Sequence, residues 1–160
     1  VYNDPEAAAI VYQSGAPLIQ VGMDVCQKIS VLEEQLLRIG QAHTPTTTLL
    51  ARITPQLIRS YVERGLKAAG TGVHYNDVPA VAYAIDPTLY DSREYYVRIA
   101  THDPLTRGQT VADVPNRWRQ PPNARVLMGV DAARLTQVFT TRVIDYASPA
   151  RPPQHTAAPP

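Results

Sequence analysis

The stretch Asp4–Asp24, DPEAAAIVYQSGAPLIQVGMD, decides the fold class. Asp4 can accept from the free N–H groups of a helix start, Pro5 suits the first helical position, and Glu6 complements the positive end of the helix dipole. The helix predicted from there runs through Ala7 to Tyr12 and stops near Gly15 and Pro17. Leu18, Ile19, Val21 and Met23 then form a short apolar run, which reads as a buried strand ending at Asp24. A helix–strand succession this compact predicts an α/β fold.

Further along, Leu32, Leu36, Leu37 and Ile39 recur at helical spacing and Gly40 closes the segment, which predicts a helix over 31–39. After the Thr44–Thr48 run, Thr54-Pro55 reads as the cap of another helix, with Leu57, Ile58, Tyr61 and Val62 on one face. Gly70 and Gly72 interrupt it. Asn76-Asp77 would cap the next helix, which passes through Val81, Ala82 and Tyr83 to Ile85 and stops before Asp86-Pro87. Strands are predicted over Tyr95–Ile99, Gln109–Val114 and Ala124–Val130, with Asp131 capping a helix from Ala132 to about Tyr146. From Ser148 the chain holds Pro149, Pro152, Pro153, Pro159 and Pro160 among small polar residues. Such a composition buries too little apolar area to offset chain entropy, so residues 1–147 are expected to form the folded part and 148–160 a disordered tail.

Composition narrows the function classes. A 160-residue chain can bury a real core. A formal net charge of +1 predicts neither a nucleic-acid footprint nor steering to anionic membranes. No apolar run approaches the roughly 18 to 20 residues that a membrane span needs. Cys26 is the single cysteine, which excludes an internal disulfide and a multi-cysteine zinc site and fits a reducing, cytoplasmic setting. No phosphate-cradling glycine loop is present.

Four stretches, in order, resemble the inosine-uridine preferring nucleoside hydrolases. They are Asp4-Pro5-Glu6-Ala7-Ala8 with Val21-Gly22-Met23-Asp24-Val25; Asn76-Asp77-Val78-Pro79-Ala80-Val81-Ala82-Tyr83 with Ile85-Asp86-Pro87; Thr106-Arg107-Gly108-Gln109-Thr110; and Asn123-Ala124-Arg125-Val126 running into the helix from Asp131. Each is weak alone, and their shared order is what makes the match specific. The resemblance implies the C-terminal half of an open, mostly parallel sheet with helices on both faces. It also implies calcium-assisted cleavage of the N-glycosidic bond of a ribonucleoside to ribose and free base. The family's Asp-rich loop, which carries the water-activating base and most calcium ligands, would lie upstream of Val1, as would its ribose-binding Glu and Asn. A segment without them is expected to be inactive and poorly soluble by itself. At full length the family tends to form dimers or tetramers.

Residue by residue, Asp77 matches a calcium ligand of the family, and Ca²⁺ takes six to eight hard oxygen donors of that kind. Read without the resemblance, Asn76-Asp77 is a helix cap, and the two readings are compatible. Asn76 stands where many members carry the histidine proposed to protonate the leaving purine, and an amide has no proton to give near neutral pH. His74 could substitute if its glycine-containing loop folds back, or it is a surface loop residue. Tyr61 lies on a helix that in the family closes over the base, so it either stacks on substrate or covers a core. Asp24 matches a position near the site, although Cys26-Gln27 departs from the usual Thr-His. His102-Asp103-Pro104 reads as a turn, Tyr75 and Tyr83 as packing residues, and Arg107 and Arg125 as members of structural ion pairs. The alternative to an enzyme is a catalytically inactive relative that persists as a binding module.

Overall fold

The computed structural model describes residues 1–66 and 70–145. Tyr146 and the tail expected over 148–160 lie outside them. In chain order the elements are α1 (Pro5–Gln13), β1 (Ile19–Gln20), α2 (Met23–Cys26), α3 (Glu33–Gly40), α4 (Pro45–Glu63), α5 (Val78–Ile85), a 3₁₀ turn (Pro87–Leu89), β2 (Tyr90–Tyr95), β3 (Val97–Ile99), β4 (Thr110–Ala112), β5 (Ala124–Val130) and α6 (Ala132–Asp145). The described residues fall into two units, one of 1–28 with 76–131 and one of 29–66 and 70–75 with 132–145.

In the first unit Asp4 caps α1 as its sequence requires, its Oδ1 accepting from the Ala7 N–H at 2.9 Å. The apolar run after Pro17 yields a strand of only two residues. Gly22 is extended, and its carbonyl accepts from the Val25 and Cys26 N–H groups at 3.0 and 3.1 Å, so Met23 and Asp24 open α2 instead of ending β1. The sheet is mixed, in order β1-β5-β2, where the resemblance implies a mostly parallel one. β1 runs parallel to β5, whereas β2 follows the short 3₁₀ turn and runs back antiparallel to β5. β3 and β4 form a separate antiparallel pair.

β5 organises the core because strand side chains alternate between faces. Leu127 packs with Val25 of α2 and Tyr83 of α5, while Ala124 and Val126 pack on the other face with Val97, Tyr12 and Leu18. Asn123 staples the start of this strand: its Oδ1 accepts from the Val97 N–H at 2.7 Å, and its Nδ2 donates to the Tyr12 and Val97 carbonyls. The predicted ion pairs are present, Arg107 with Glu6 at 2.5 Å and Arg125 with Glu94 at 2.9 Å. Leu127 is 1 % exposed. Leu127→Ala is therefore expected to cost about 2–5 kcal/mol of unfolding free energy, measured by urea denaturation of this unit's signal.

In the second unit α3, α4 and α6 surround Val31, Leu36 and Val73, joined by Ile58, Tyr61, Tyr75 and Phe139. Val31 and Val73 exchange backbone hydrogen bonds of 2.9 and 3.0 Å. The cap expected at Thr54-Pro55 is displaced. Thr44 caps α4, accepting from the Thr47 N–H at 3.2 Å while the Thr47 hydroxyl accepts from the Thr44 N–H at 3.0 Å. Thr54 and Pro55 lie inside one 19-residue helix. Thr54 faces the core with its hydroxyl 2.6 Å from Tyr75 Oη, and Pro55 sits on the exposed face.

Candidate functional site

In open α/β sheets, ligand chemistry gathers beyond the carboxyl ends of the strands, where loops and helix starts meet. β1 and β5 are parallel, so their carboxyl ends share one side of the sheet. Asp24 follows β1 there, in the first turn of α2, and Asp131 follows β5 directly. Asp77 begins α5, the helix whose Tyr83 packs with Val25 and Leu127. A cavity of about 790 Å³ lies at the opposite, amino end of the same strands, between Tyr12, Leu18, Glu94, Tyr96 and Arg125. This cavity and the acidic side chains lie at different ends, and Asp24, Asp77 and Asp131 favour the carboxyl end.

Asp77 occupies the N-cap position of α5 in a helical conformation (φ −86°, ψ −22°), from which its side chain makes no capping hydrogen bond. The expected cap is thus not made by this carboxylate, which is exposed and available to another partner. Helix α5 carries Pro at its first turn, which removes one of the N–H groups a cap would serve.

The start of α5 is held by neighbours. The buried Cys26 thiol donates to the Asn76 carbonyl at 3.4 Å, and the Tyr90 phenol donates to the Pro79 carbonyl at 2.7 Å. Burial pushes the Cys26 thiol up, and the negative charges of Asp24 and Asp77 add to it. Both carboxylates therefore stand within electrostatic reach of one sulfur. Such a thiol is a poor nucleophile, in keeping with its apolar surroundings. Burial likewise raises the Tyr90 phenol to about 12.

His74 and Tyr61 belong to the second unit. His74 is half-buried and its Nδ1 donates to the Ile29 carbonyl at 2.5 Å, and Tyr61 packs partly buried against the cluster around Val31, Leu36 and Val73. His102 is exposed and bonded to Thr101, while Asp103 Oδ1 accepts from the Leu105 and Thr106 N–H groups at 2.7 and 3.1 Å, which makes the turn the sequence predicts. Tyr75 and Tyr83 pack against Phe139 and Tyr90, at 5.5 and 5.6 Å between ring centroids. Sequence reasoning missed Tyr90, because nothing in the polar run that follows it marks a strand.

Calcium binding makes a specific demand on this donor set. Asp77 suits one ligand position: it is a hard, exposed carboxylate without a capping partner. Among the described residues no three His, Cys, Asp or Glu side chains cluster closely enough to hold a metal. Among the described residues, Asp77 is therefore a carboxylate that could contribute one oxygen to a metal shell. No helix among the described residues is long and apolar enough to cross a membrane.

Comparison with known proteins bears on the whole chain. Residues 1–137 match the family described as inosine-uridine preferring nucleoside hydrolase. The pyrimidine-specific ribonucleoside hydrolase RihA of Citrobacter koseri is 30% identical over 148 residues, which cover 92% of this chain and 47% of that protein. RihA of Escherichia coli K12 is 31% identical over 147 residues, with the same coverage of 92% and 47%. Among solved structures, a purine-preferring ribonucleoside hydrolase from Gardnerella vaginalis superposes with a TM-score of 0.79 at 30% identity, over 89% of this chain and 44% of that one. A plant nucleoside hydrolase shares the fold at a TM-score of 0.77 and 22% identity, over 91% and 46% of the two chains. The chain thus spans slightly less than half the length of these relatives.

Proposed function

The chain belongs to the inosine-uridine preferring nucleoside hydrolase family, and from that premise we propose that it is the C-terminal portion of a calcium-assisted hydrolase that splits ribonucleosides into ribose and free base. The observation that carries this reading is the Asp77 carboxylate, exposed and without a capping partner at the start of α5, next to Asn76, whose carbonyl accepts from Cys26 of α2, the helix that also carries Asp24. Asp77 would supply one oxygen ligand, and the remaining ligands and the water-activating base would come from the part of the relatives that this chain does not span. When bound, calcium orients the ribose hydroxyls and lowers the pKa of the attacking water. The parent sheet would be the open, mostly parallel one, with this segment supplying its mixed portion.

Asn76 would face the leaving base in place of a proton donor. Its amide can hydrogen-bond a base nitrogen or carbonyl and so orient it, without delivering a proton. The relatives do not select the base, since proteins of equal identity to this chain are named for pyrimidines in one case and purines in the other. His74 and Tyr61 are assigned no role in this reading; His74 Nδ1 donates to the Ile29 carbonyl and Tyr61 packs partly buried in the second unit.

The second reading, an inactive binding module, is favoured by the lack of any three-ligand cluster among the described residues and by the amide at Asn76. Ribose release separates the two. A reducing-sugar assay on the chain extended through the preceding half of the domain is expected to show calcium-dependent hydrolysis of uridine or inosine, lost in chelator and restored by added calcium. No release from any common ribonucleoside, with calcium bound, would leave the binding module standing.

A further inference from the structure

The geometry points to Cys26 and Tyr90 as positioning residues that clamp the Asp77-bearing turn from either side and so set the carboxylate for calcium. This inference rests on the reading of Asp77 as a calcium ligand. Asp77 lies between two backbone carbonyls, each held by a side chain from a different element. On one side the Asn76 carbonyl, just before the N-cap Asp77, accepts from Cys26 of α2 at 3.4 Å. On the other the Pro79 carbonyl accepts from Tyr90 of β2 at 2.7 Å. The Asp77 side chain has no capping bond of its own, so its direction depends on how this backbone is held.

The two clamping groups are themselves well anchored. Cys26 is 3% exposed and adjoins Val25, which is fully buried in the core with Leu127 and Tyr83. Tyr90 packs on that same cluster, its ring 5.6 Å from that of Tyr83, and its backbone is paired with Val130 of β5. The clamp therefore refers the position of Asp77 to the central strand of the sheet. Side chains of this kind, which touch no metal but fix a ligand that does, typically alter metal affinity or activity by about 10- to 100-fold when removed.

The test is calcium affinity, read by competition with a fluorescent chelator, on the chain extended through the preceding half of the domain. Tyr90→Phe keeps the ring and its packing but loses the hydroxyl, and Cys26→Ala loses the thiol. Each is expected to weaken calcium binding by about ten-fold, the lower end of the range for such supporting residues. Cys26→Ser restores a donor and is expected to recover most of the loss. Melting of the calcium-free protein is measured in parallel. If Tyr90→Phe and Cys26→Ala lower the calcium-free Tm yet bind calcium as tightly as the unsubstituted protein, the two residues serve only the fold and the inference is overturned. Asp77→Asn is the control for the reading beneath it. Unchanged affinity in that variant removes Asp77 from the shell, whereas a large loss there with none in the other two removes only the clamp.

Discussion

Asp77→Asn, made in a chain that includes the rest of the domain, is expected to weaken calcium binding by at least about a hundred-fold, since even outer-shell substitutions reach that size in metal sites. The substitution is close to isosteric. It removes one negative charge and one hard anionic oxygen while leaving the backbone free to adopt the same helix start. Asparagine is a favoured N-cap residue, so helix α5 should not be weakened, and the calcium-free Tm should move little. The carboxylate is exposed and makes no capping bond, so no structural role competes with the metal in explaining a loss. Ribose release should fall with calcium occupancy and recover in part at high calcium. Titration calorimetry that found the same affinity in both proteins would place the carboxylate outside the calcium shell.

Asn76→His is expected to act in the opposite direction, raising kcat on inosine by about a hundred-fold, the lower end of what a positioned general acid contributes. A leaving purine departs more readily when a ring nitrogen is protonated, and the amide at Asn76 cannot supply that proton. An imidazole with an ordinary pKa near 6.5 is partly protonated near neutral pH. The gain should therefore carry a signature in pH. Turnover by the variant should decline as the pH rises through the imidazole pKa, whereas the unsubstituted protein, which has no such acid at this position, should lack that limb. Asn76 is exposed, so the larger ring need not disturb the core. A pH–rate profile for inosine that is unchanged in height and shape would mean that the leaving base is activated elsewhere.

The two substitutions probe adjacent residues for which separate roles are proposed. Both are singled out by the family resemblance, to which Asn76-Asp77-Val78-Pro79 contributes one of four ordered stretches. That Asp77 makes no capping bond could not be read there, because Asp at a helix start is the usual signature of a cap.

The same division runs through the fold. Local signals were legible where a short segment satisfies its own polar groups. Asp4 caps α1, Asp103 makes its turn, and α5 ends at Ile85 before Asp86-Pro87, each through partners within about four residues. β5 was legible too, as a short run whose Ala124, Val126 and Leu127 bury side chains on both faces of the strand. β2 was not. Its Asp91-Ser92-Arg93-Glu94 centre is exposed throughout, so no alternation marks it, and it is a strand because β5 offers it a ladder. The expected cap at Thr54-Pro55 failed for a related reason: a threonine hydroxyl can cap a helix or bond a neighbour, and the core tyrosine at position 75 decided between them.

What the sequence by itself determined is therefore the set of elements whose hydrogen bonds close locally, the family, and the identity of the acidic residue at the head of α5. What only the tertiary structure decided is how that residue is held. Cys26 lies 50 positions from Asn76 and Tyr90 lies 11 from Pro79, and neither pair has a spacing that any local rule would join. Those contacts exist because α2, α5 and β2 all bury side chains against the same stretch of β5, and burial of apolar surface is indifferent to separation along the chain.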